Sequence, residues 1–287
     1  MLTIFSIPKS FSGHIGVIQK NAINSWKNLG SGVEIILMGN DEGVDKIAQI
    51  CNVKHIPDVQ RNEHGTPLLS YAFEYAQKVA VNKNLMYCNT DILLFSDVIK
   101  TLKVITLEKY LLCGRRWDLD QTEEINFSDP QELMLLNSNL QKRGKLHGMS
   151  GIDYFIFPKN LIKMPPFAVG RPGWDSWLIF DMLQRNITVI DATESIKIIH
   201  QNHNYSHSSF GGKYRVEGPE FLKNLELAGG YSCLATLTNA NRIVDRDYLV
   251  KKPPVFRYFF SILLKYSLFR ILLSTKRYLQ DSRSHWH

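Results

Sequence analysis

Residues 85–97 read Leu85-Met86-Tyr87-Cys88-Asn89-Thr90-Asp91-Ile92-Leu93-Leu94-Phe95-Ser96-Asp97, and this stretch decides the fold. Leu85 to Cys88 form a short apolar run without polar alternation, the pattern of a strand covered on both faces. The triplet Asn89-Thr90-Asp91 stops the run before apolar residues resume at Ile92. A carboxylate is thereby delivered to the carboxyl end of a core strand, the edge at which open α/β sheets bind ligands. A second reading stands beside this one: the triplet is a polar turn, with Asp91 or Ser96 capping the helix that follows.

Working outward, residues 2–7 make a β-prone run closed by Pro8, and Ile15, Ile18, Ala22, Ile23 and Trp26 then fall at helical spacing. Residues 33–38 are a second apolar strand ending in Gly39-Asn40-Asp41-Glu42-Gly43, residues 44–51 a short helix, and residues 55–59 a weak third strand. Thr66-Pro67 predicts an N-cap with proline at the first helical position of a helix running to Val79. After the central strand come a helix over 96–104, a strand over 110–113 ending in Gly114-Arg115-Arg116-Trp117-Asp118, and an insertion over 119–146 with a helix starting at Asp129-Pro130 and ending near Asn139. Strands over 152–157 and 187–190 flank a helix over 174–183, and residues 196–199 are a last apolar run before His200. Strands alternating with helices predict an α/β fold with a mainly parallel central sheet covered by helices on both faces.

The 287-residue chain, 44% hydrophobic, is long enough for a substantial core. Its formal charge of +7 resides in residues 251–287, which hold eight Lys/Arg against one acid, so the rest is neutral. A neutral body lacks the basic footprint of a nucleic-acid-binding protein. Cys51, Cys88, Cys113 and Cys233 show no metal or redox spacing, and the amino-terminal MLTIFSIPKSFSG shows neither a basic leader nor a long apolar stretch; together these predict a cytoplasmic protein. After Lys251-Lys252-Pro253-Pro254, the aromatic and basic tail fits an interfacial helix at the inner face of the cell membrane, or a helix packed on the protein body. Oligomeric state stays open.

Four polar stations stand at strand ends or helix starts: Asp41-Glu42, Asn89-Thr90-Asp91, Trp174-Asp175 and His200-Gln201-Asn202-His203. His200, His203 and His207 make a cluster of the commonest metal-binding side chain. Asp175 at a helix start reads either as a chemical base or as a carboxylate favoured by the helix dipole.

In this order the motifs FSIPKSF, YCNTDI, SGIDYFIFP, GRPGWDSW and HQNHNYSH resemble the GT-A family of nucleotide-sugar glycosyltransferases, over roughly residues 2–210. The resemblance implies a Rossmann-like GT-A catalytic domain over 1–250, with 251–287 as a separate helical tail. It implies transfer of a sugar from a nucleotide-sugar donor to a hydroxyl of a cell-surface glycan or lipid-linked oligosaccharide, with inversion. The family's acidic metal motif of the DXD type falls on residues 89–91, where Asn89 replaces the first acid and Asp91 matches the last. Asp91, His200 and His203 would then hold Mn²⁺ or Mg²⁺, and Asp175 would be the base. Phe5, Ser6, Pro8, Asp41, Asn89, Thr90 and Asp91 would frame the donor nucleotide. Arg115, Trp117, Asp153, Trp174 and Trp177 would meet the acceptor, and Arg116 and Asp118, in the same run as Arg115 and Trp117, would touch donor or acceptor. The rival readings are a sugar nucleotidyltransferase of the same fold, for which GHIG with a single Lys9 is a poor match, and an inactive glycan- or nucleotide-binding scaffold.

Overall fold

A computed structural model of the chain describes residues 1–203, 218–244 and 250–251. His207, Gly211-Gly212-Lys213 and the basic tail lie outside the described residues. The first half runs β1 (Leu2–Ser6), α1 (Gly13–Lys27), β2 (Val33–Met38), α2 (Val44–Cys51), β3 (Lys54–Ile56), α3 (Leu69–Val79), β4 (Asn84–Cys88), β5 (Ile92–Leu93), α4 (Asp97–Val104), β6 (Tyr110–Cys113) and β7 (Trp117–Leu119). The second runs α5 (Pro130–Arg143), β8 (Lys145–Leu146), β9 (Tyr154–Pro158), α6 (Trp174–Gln184), β10 (Thr188–Asp191), β11 (Ile199–Gln201), α7 (Pro219–Leu227), β12 (Arg242–Val244) and β13 (Val250–Lys251).

The central sheet has nine strands in the order β13-β12-β10-β6-β9-β4-β1-β2-β3, and its pairings are mainly parallel, as expected. The apolar run of β4 is divided between two cores. Leu85 and Tyr87 face α3 and α6 with Phe73, Leu178 and Met182; Met86 and Cys88 face α1, α2 and α4 with Trp26, Ile47 and Val98. A strand buried on both sides needs apolar residues at successive positions, which is why this run does not alternate. On the first face Phe5 meets Phe73 edge-on at 5.0 Å and Tyr87 at 5.5 Å, and Phe73 stacks on Phe157 at 5.6 Å. Each such pair contributes about 0.5–1.5 kcal/mol beyond its buried area. Burial also raises the Cys88 and Cys113 thiols well above their ordinary value, so these cysteines are core residues.

Three features depart from the sequence reading. Thr66-Pro67 does not start α3, which begins at Leu69. Pro67 and Leu68 are instead held extended by bridges to Arg61 and Ala168, with the Leu69 N–H donating to the Phe167 carbonyl. Tertiary pairing overrides the local N-terminal signature there. β9 runs antiparallel to both of its neighbours, β4 and β6. A parallel return needs a crossover of a dozen or more residues to the opposite edge. Here the insertion stays at the edge where β6 ends, so the chain re-enters the sheet from that edge in the opposite direction.

A second sheet, in the order β5-β11-β7-β8, joins the two ends of the insertion to short strands at Ile92–Leu93 and Ile199–Gln201, and the sequence reading did not contain it. Leu93, Leu119 and Ile199 of this sheet share a small core with Leu136 and Leu140 of α5. The α5 helix is capped by Asp129, whose Oδ1 accepts from the Gln131 N–H at 2.8 Å, and it runs on to Arg143. Among the described residues no helix is long and apolar enough to cross a membrane.

Candidate functional site

The strands β1, β2, β4 and β6 end on one edge of the central sheet, and β9 begins there. The loops that follow are tied together. Ser6 Oγ donates to the Cys88 carbonyl at 2.5 Å and lies 2.7 Å from Thr90 Oγ1, and the Phe11 N–H donates to the Glu42 carbonyl at 2.8 Å. Asp41 pairs with Arg61 at 3.5 Å beside a cleft of about 340 Å³ lined by Asn40, Asp58, Arg61 and Tyr71.

Asp91 lies at the junction of the two sheets. The Gln201 N–H donates to its carbonyl at 3.1 Å, and the second sheet pairs His200 with Ile92 on one side and Asp118 on the other. This register brings His200 Nε2 to 3.6 Å from Asp91 Oδ2, with His203 Nε2 at 3.1 Å from the same oxygen. Carboxylate and imidazole donor atoms of Asp91, His200 and His203 all lie within 4.8 Å of one another. Asp91 Oδ1 is buried with no hydrogen-bond partner among the described residues. A buried carboxylate oxygen left unbonded is costly in an apo site and available to a ligand. One carboxylate and two imidazoles suit a divalent cation such as Mn²⁺, with Mg²⁺ preferring an all-oxygen set, so the expected donors fit the expected ion.

The charges reinforce this arrangement. Burial acts to raise the Asp91 carboxyl, but the His200 and His203 rings beside it prevail and hold it well below the usual carboxylate range. Burial likewise opposes a charge on His200, yet the Asp91 carboxylate outweighs it and keeps the imidazole above its ordinary value.

A polar chain extends from the triplet across the site. Asn89 Nδ2 donates to Asp153 Oδ1 at 2.7 Å, Arg116 Nη1 donates to Asp153 Oδ2 at 2.6 Å, and Arg116 Nε donates to Asp118 Oδ1 at 2.8 Å. Asp118 Oδ2 lies 2.6 Å from His147 Nδ1, and Oδ1 lies 3.3 Å from His200 Nδ1. Burial would raise the Asp118 carboxyl; His147 and Arg116 instead hold it below its ordinary value. This network explains Asn89. An aspartate in its place would set a second carboxylate against Asp153 and remove the donor that Asp153 Oδ1 accepts. Asn89→Asp is therefore expected to cost about 1–3 kcal/mol in urea unfolding. Adding Asp153→Asn should recover part of that loss.

Asp175 is the second residue of α6, which starts at Trp174 after Gly173, whose φ of +112° lies where a side chain is strained. Its Oδ1 accepts from the Ser176 N–H at 2.8 Å. Burial raises its carboxyl above the ordinary value; the Ser176 N–H counteracts this and the Asp153 charge adds to it. That electrostatic coupling links Asp175 to the network on β9.

Other expected site residues are placed differently. Phe5 is fully buried among aromatic rings, so it packs beneath that edge of the central sheet and does not line it. Trp174 is 6% exposed, its ring 5.2 Å from Tyr87 and 5.3 Å from Phe155, which makes it a core residue and no open platform for a sugar. Trp117 packs on the small core of the second sheet, and Trp177 lies half-buried 5.3 Å from Phe167. Arg115 Nε donates to the His147 carbonyl at 2.6 Å and its N–H to Thr193 Oγ1 at 3.0 Å, so it ties loops together. Pro8 is buried, next to the turn that Gln19 secures through the Lys9 backbone. His147 was not among the expected site residues, and Asp118 was expected as one of the residues after a strand end that would touch donor or acceptor, not as a neighbour of His200. The available signal was the charged run Gly114-Arg115-Arg116-Trp117-Asp118 directly after a strand end, the same placement that marked the other stations.

No family model and no curated protein matches the sequence. Among solved structures, the chain is similar to Mycobacterium tuberculosis glucosyl-3-phosphoglycerate synthase in complex with Mn²⁺, UDP and glucosyl-3-phosphoglycerate, at 13% identity over 80% of each chain with a TM-score of 0.45. It is similar to a mannosyltransferase from Pyrobaculum calidifontis in complex with GDP-Man and Mn²⁺, at 10% identity over 78% of this chain and 64% of that one, with a TM-score of 0.47. It is also similar to S. aureus TarS, at 12% identity over 70% of this chain and 36% of that one, with a TM-score of 0.45.

Proposed function

We propose that this chain is a GT-A-type glycosyltransferase that moves a sugar from a nucleotide-sugar donor to a hydroxyl acceptor. The observation that carries the reading is the buried Asp91 oxygen at the carboxyl edge of the sheet, without a hydrogen-bond partner among the described residues, with two imidazoles beside the same carboxylate. Asp91, His200 and His203 would hold a divalent ion, which when bound supplies Lewis-acid stabilisation to the departing diphosphate. The loops after β1, β2 and β4 would receive the nucleotide, Ser6 and Thr90 fixing the floor and the cleft beside Asp41 taking the nucleoside.

Asp175 would accept the proton of the acceptor hydroxyl as its oxygen attacks the sugar carbon. The bond to the donor phosphate breaks on the opposite face, its electron pair leaves with the nucleoside diphosphate, and the product is inverted. A carboxyl raised by burial suits this role, being a stronger base than an exposed aspartate. The basic, aromatic-rich residues 251–287 support contact with an anionic membrane surface. With that contact, a cytoplasmic enzyme at the inner face of the membrane would extend a lipid-linked oligosaccharide or cell-surface glycan.

The test is a thermal-shift screen against UDP, GDP, CDP and dTDP, each with and without Mn²⁺. One nucleotide is expected to raise the Tm only when Mn²⁺ is present, by about 2.7 kcal/mol of added stability at a hundredfold excess over Kd. Asp91→Ala should abolish the metal-dependent part. No shift from any nucleotide at about 1 mM, where a Kd weaker than that corresponds to less than about 4 kcal/mol of binding, overturns the reading.

A further inference from the structure

His200 carries two neighbours at its two ring nitrogens. Nε2 faces Asp91 at 3.6 Å, while Nδ1 lies 3.3 Å from Asp118 Oδ1. Asn202 Oδ1, also at 3.3 Å, is the acceptor to which Nδ1 is hydrogen-bonded in this structure, and Asp118 competes with it for the N–H from ion-pair distance. They are not held alike. Asp118 is on β7, in register with His200, and its carboxylate is gripped by Arg116 Nε at 2.8 Å and His147 Nδ1 at 2.6 Å. Asn202 follows β11, and its amide is tied to Asp120 at 2.8 Å. A carboxylate accepts more strongly than an amide oxygen, and one clamped by two cationic or polar donors has little freedom to leave.

We propose that Asp118 is a positioning residue of the cation site, accepting the Nδ1 proton of His200 so that the Nε2 lone pair is presented toward Asp91 and the ion. The inference rests on the metal reading above but concerns a residue outside the donor set. A ligating imidazole is oriented by what its second nitrogen bonds, and loss of such a partner commonly weakens metal affinity by about 10- to 100-fold. His147 acts one step further out. It fixes the second oxygen of Asp118, and its own ring is partly exposed, at 39% of the side chain, so it is open to substitution without opening the core.

The experiment titrates Mn²⁺ alone into the full chain, following free Mn²⁺ by electron paramagnetic resonance, for wild type and for Asp118→Asn, His147→Ala and Asn202→Ala. Asp118→Asn is expected to weaken binding about 10- to 100-fold, His147→Ala by less in the same direction, and Asn202→Ala by less than threefold. In parallel, two-bond ¹H–¹⁵N correlation of ¹⁵N-histidine protein without metal reads which nitrogen of the neutral His200 ring bears the proton. Wild type should show it on Nδ1, and Asp118→Asn should redistribute it. A purely structural role would lower the metal-free Tm and leave both readouts as in wild type. Unchanged Mn²⁺ affinity and an unchanged His200 pattern in Asp118→Asn, or a larger effect from Asn202→Ala, would overturn the proposal. If Asp118→Asn does not fold, His147→Ala decides: no loss of affinity and no change in the His200 pattern rejects the clamp. Should wild type bind no Mn²⁺, the metal reading fails, and the nitrogen-proton pattern still decides whether Asp118 orients the ring.

Discussion

Asp175→Asn is expected to slow sugar transfer by about 10²- to 10⁴-fold while leaving the Mn²⁺-dependent stabilisation by nucleotide as it is in wild type. The two readouts separate because Asp175 stands on α6, apart from the Asp91, His200 and His203 donor set, and touches it through the charge of Asp153. An amide preserves the hydrogen bond from the Ser176 N–H, so α6 should keep its amino-terminal geometry. What it lacks is basicity. The wild-type rate should fall as pH drops through the Asp175 value, which burial places above the ordinary one, because the base form disappears in that direction. Transfer assays between pH 4 and 8 should show in wild type an acid limb beyond the one that loss of the cation gives in both proteins, and the variant should lack that added part. A variant that transfers sugar at the wild-type rate would remove Asp175 from the mechanism.

Arg116→Met should be the most destabilising single change in the site, costing about 3–5 kcal/mol in urea unfolding at neutral pH. Arg116 bridges Asp153 at 2.6 Å and Asp118 at 2.8 Å, with 15% of its side chain exposed against 10% and 22% for the two acids. Its removal takes away the cation shared by two poorly hydrated carboxylates, which keep only weaker compensation from Asn89 and His147. Charge loss, and not lost packing, is the expected cause, since methionine fills much of the same volume. Asp153→Asn in the Arg116→Met background should restore stability, giving a coupling energy above about 1 kcal/mol in the double-mutant cycle. Strict additivity would show that the bridge contributes nothing of its own.

How much of this was legible in the sequence depends on the range of the interaction. The apolar run at Leu85 and its polar stop at Asn89 are local patterns, and they located both the central strand and Asp91 correctly. His200 and His203 were visible as a cluster. Asp118 was visible as a polar residue after a strand end, but its place beside His200 was not, because that depends on a pairing between β7 and β11, strands of three residues each, too short for hydrophobic periodicity to reveal. Phe5 and Trp174 failed for another reason. An aromatic residue beside a motif serves equally as a core packer or a ligand platform, and only tertiary burial distinguishes the two. Thr66-Pro67 carried a sound local helix-start signal that lost to bridges with Arg61 and Ala168.

The second sheet makes the chemistry of the site a matter of parity. Along β11, Ile199 feeds the apolar core under the sheet while His200 faces the carboxylates. Side chains of a strand point alternately to its two sides, so inserting or deleting one residue between Ile196 and His200 would exchange those two roles. An isoleucine would then meet Asp91 and Asp118, and an imidazole would be driven into hydrocarbon. Chain length in the short segment before β11 is accordingly under tighter constraint than its composition. Substitutions there should be tolerated far better than single-residue length changes, a contrast that a saturation library of residues 193–198 would display directly.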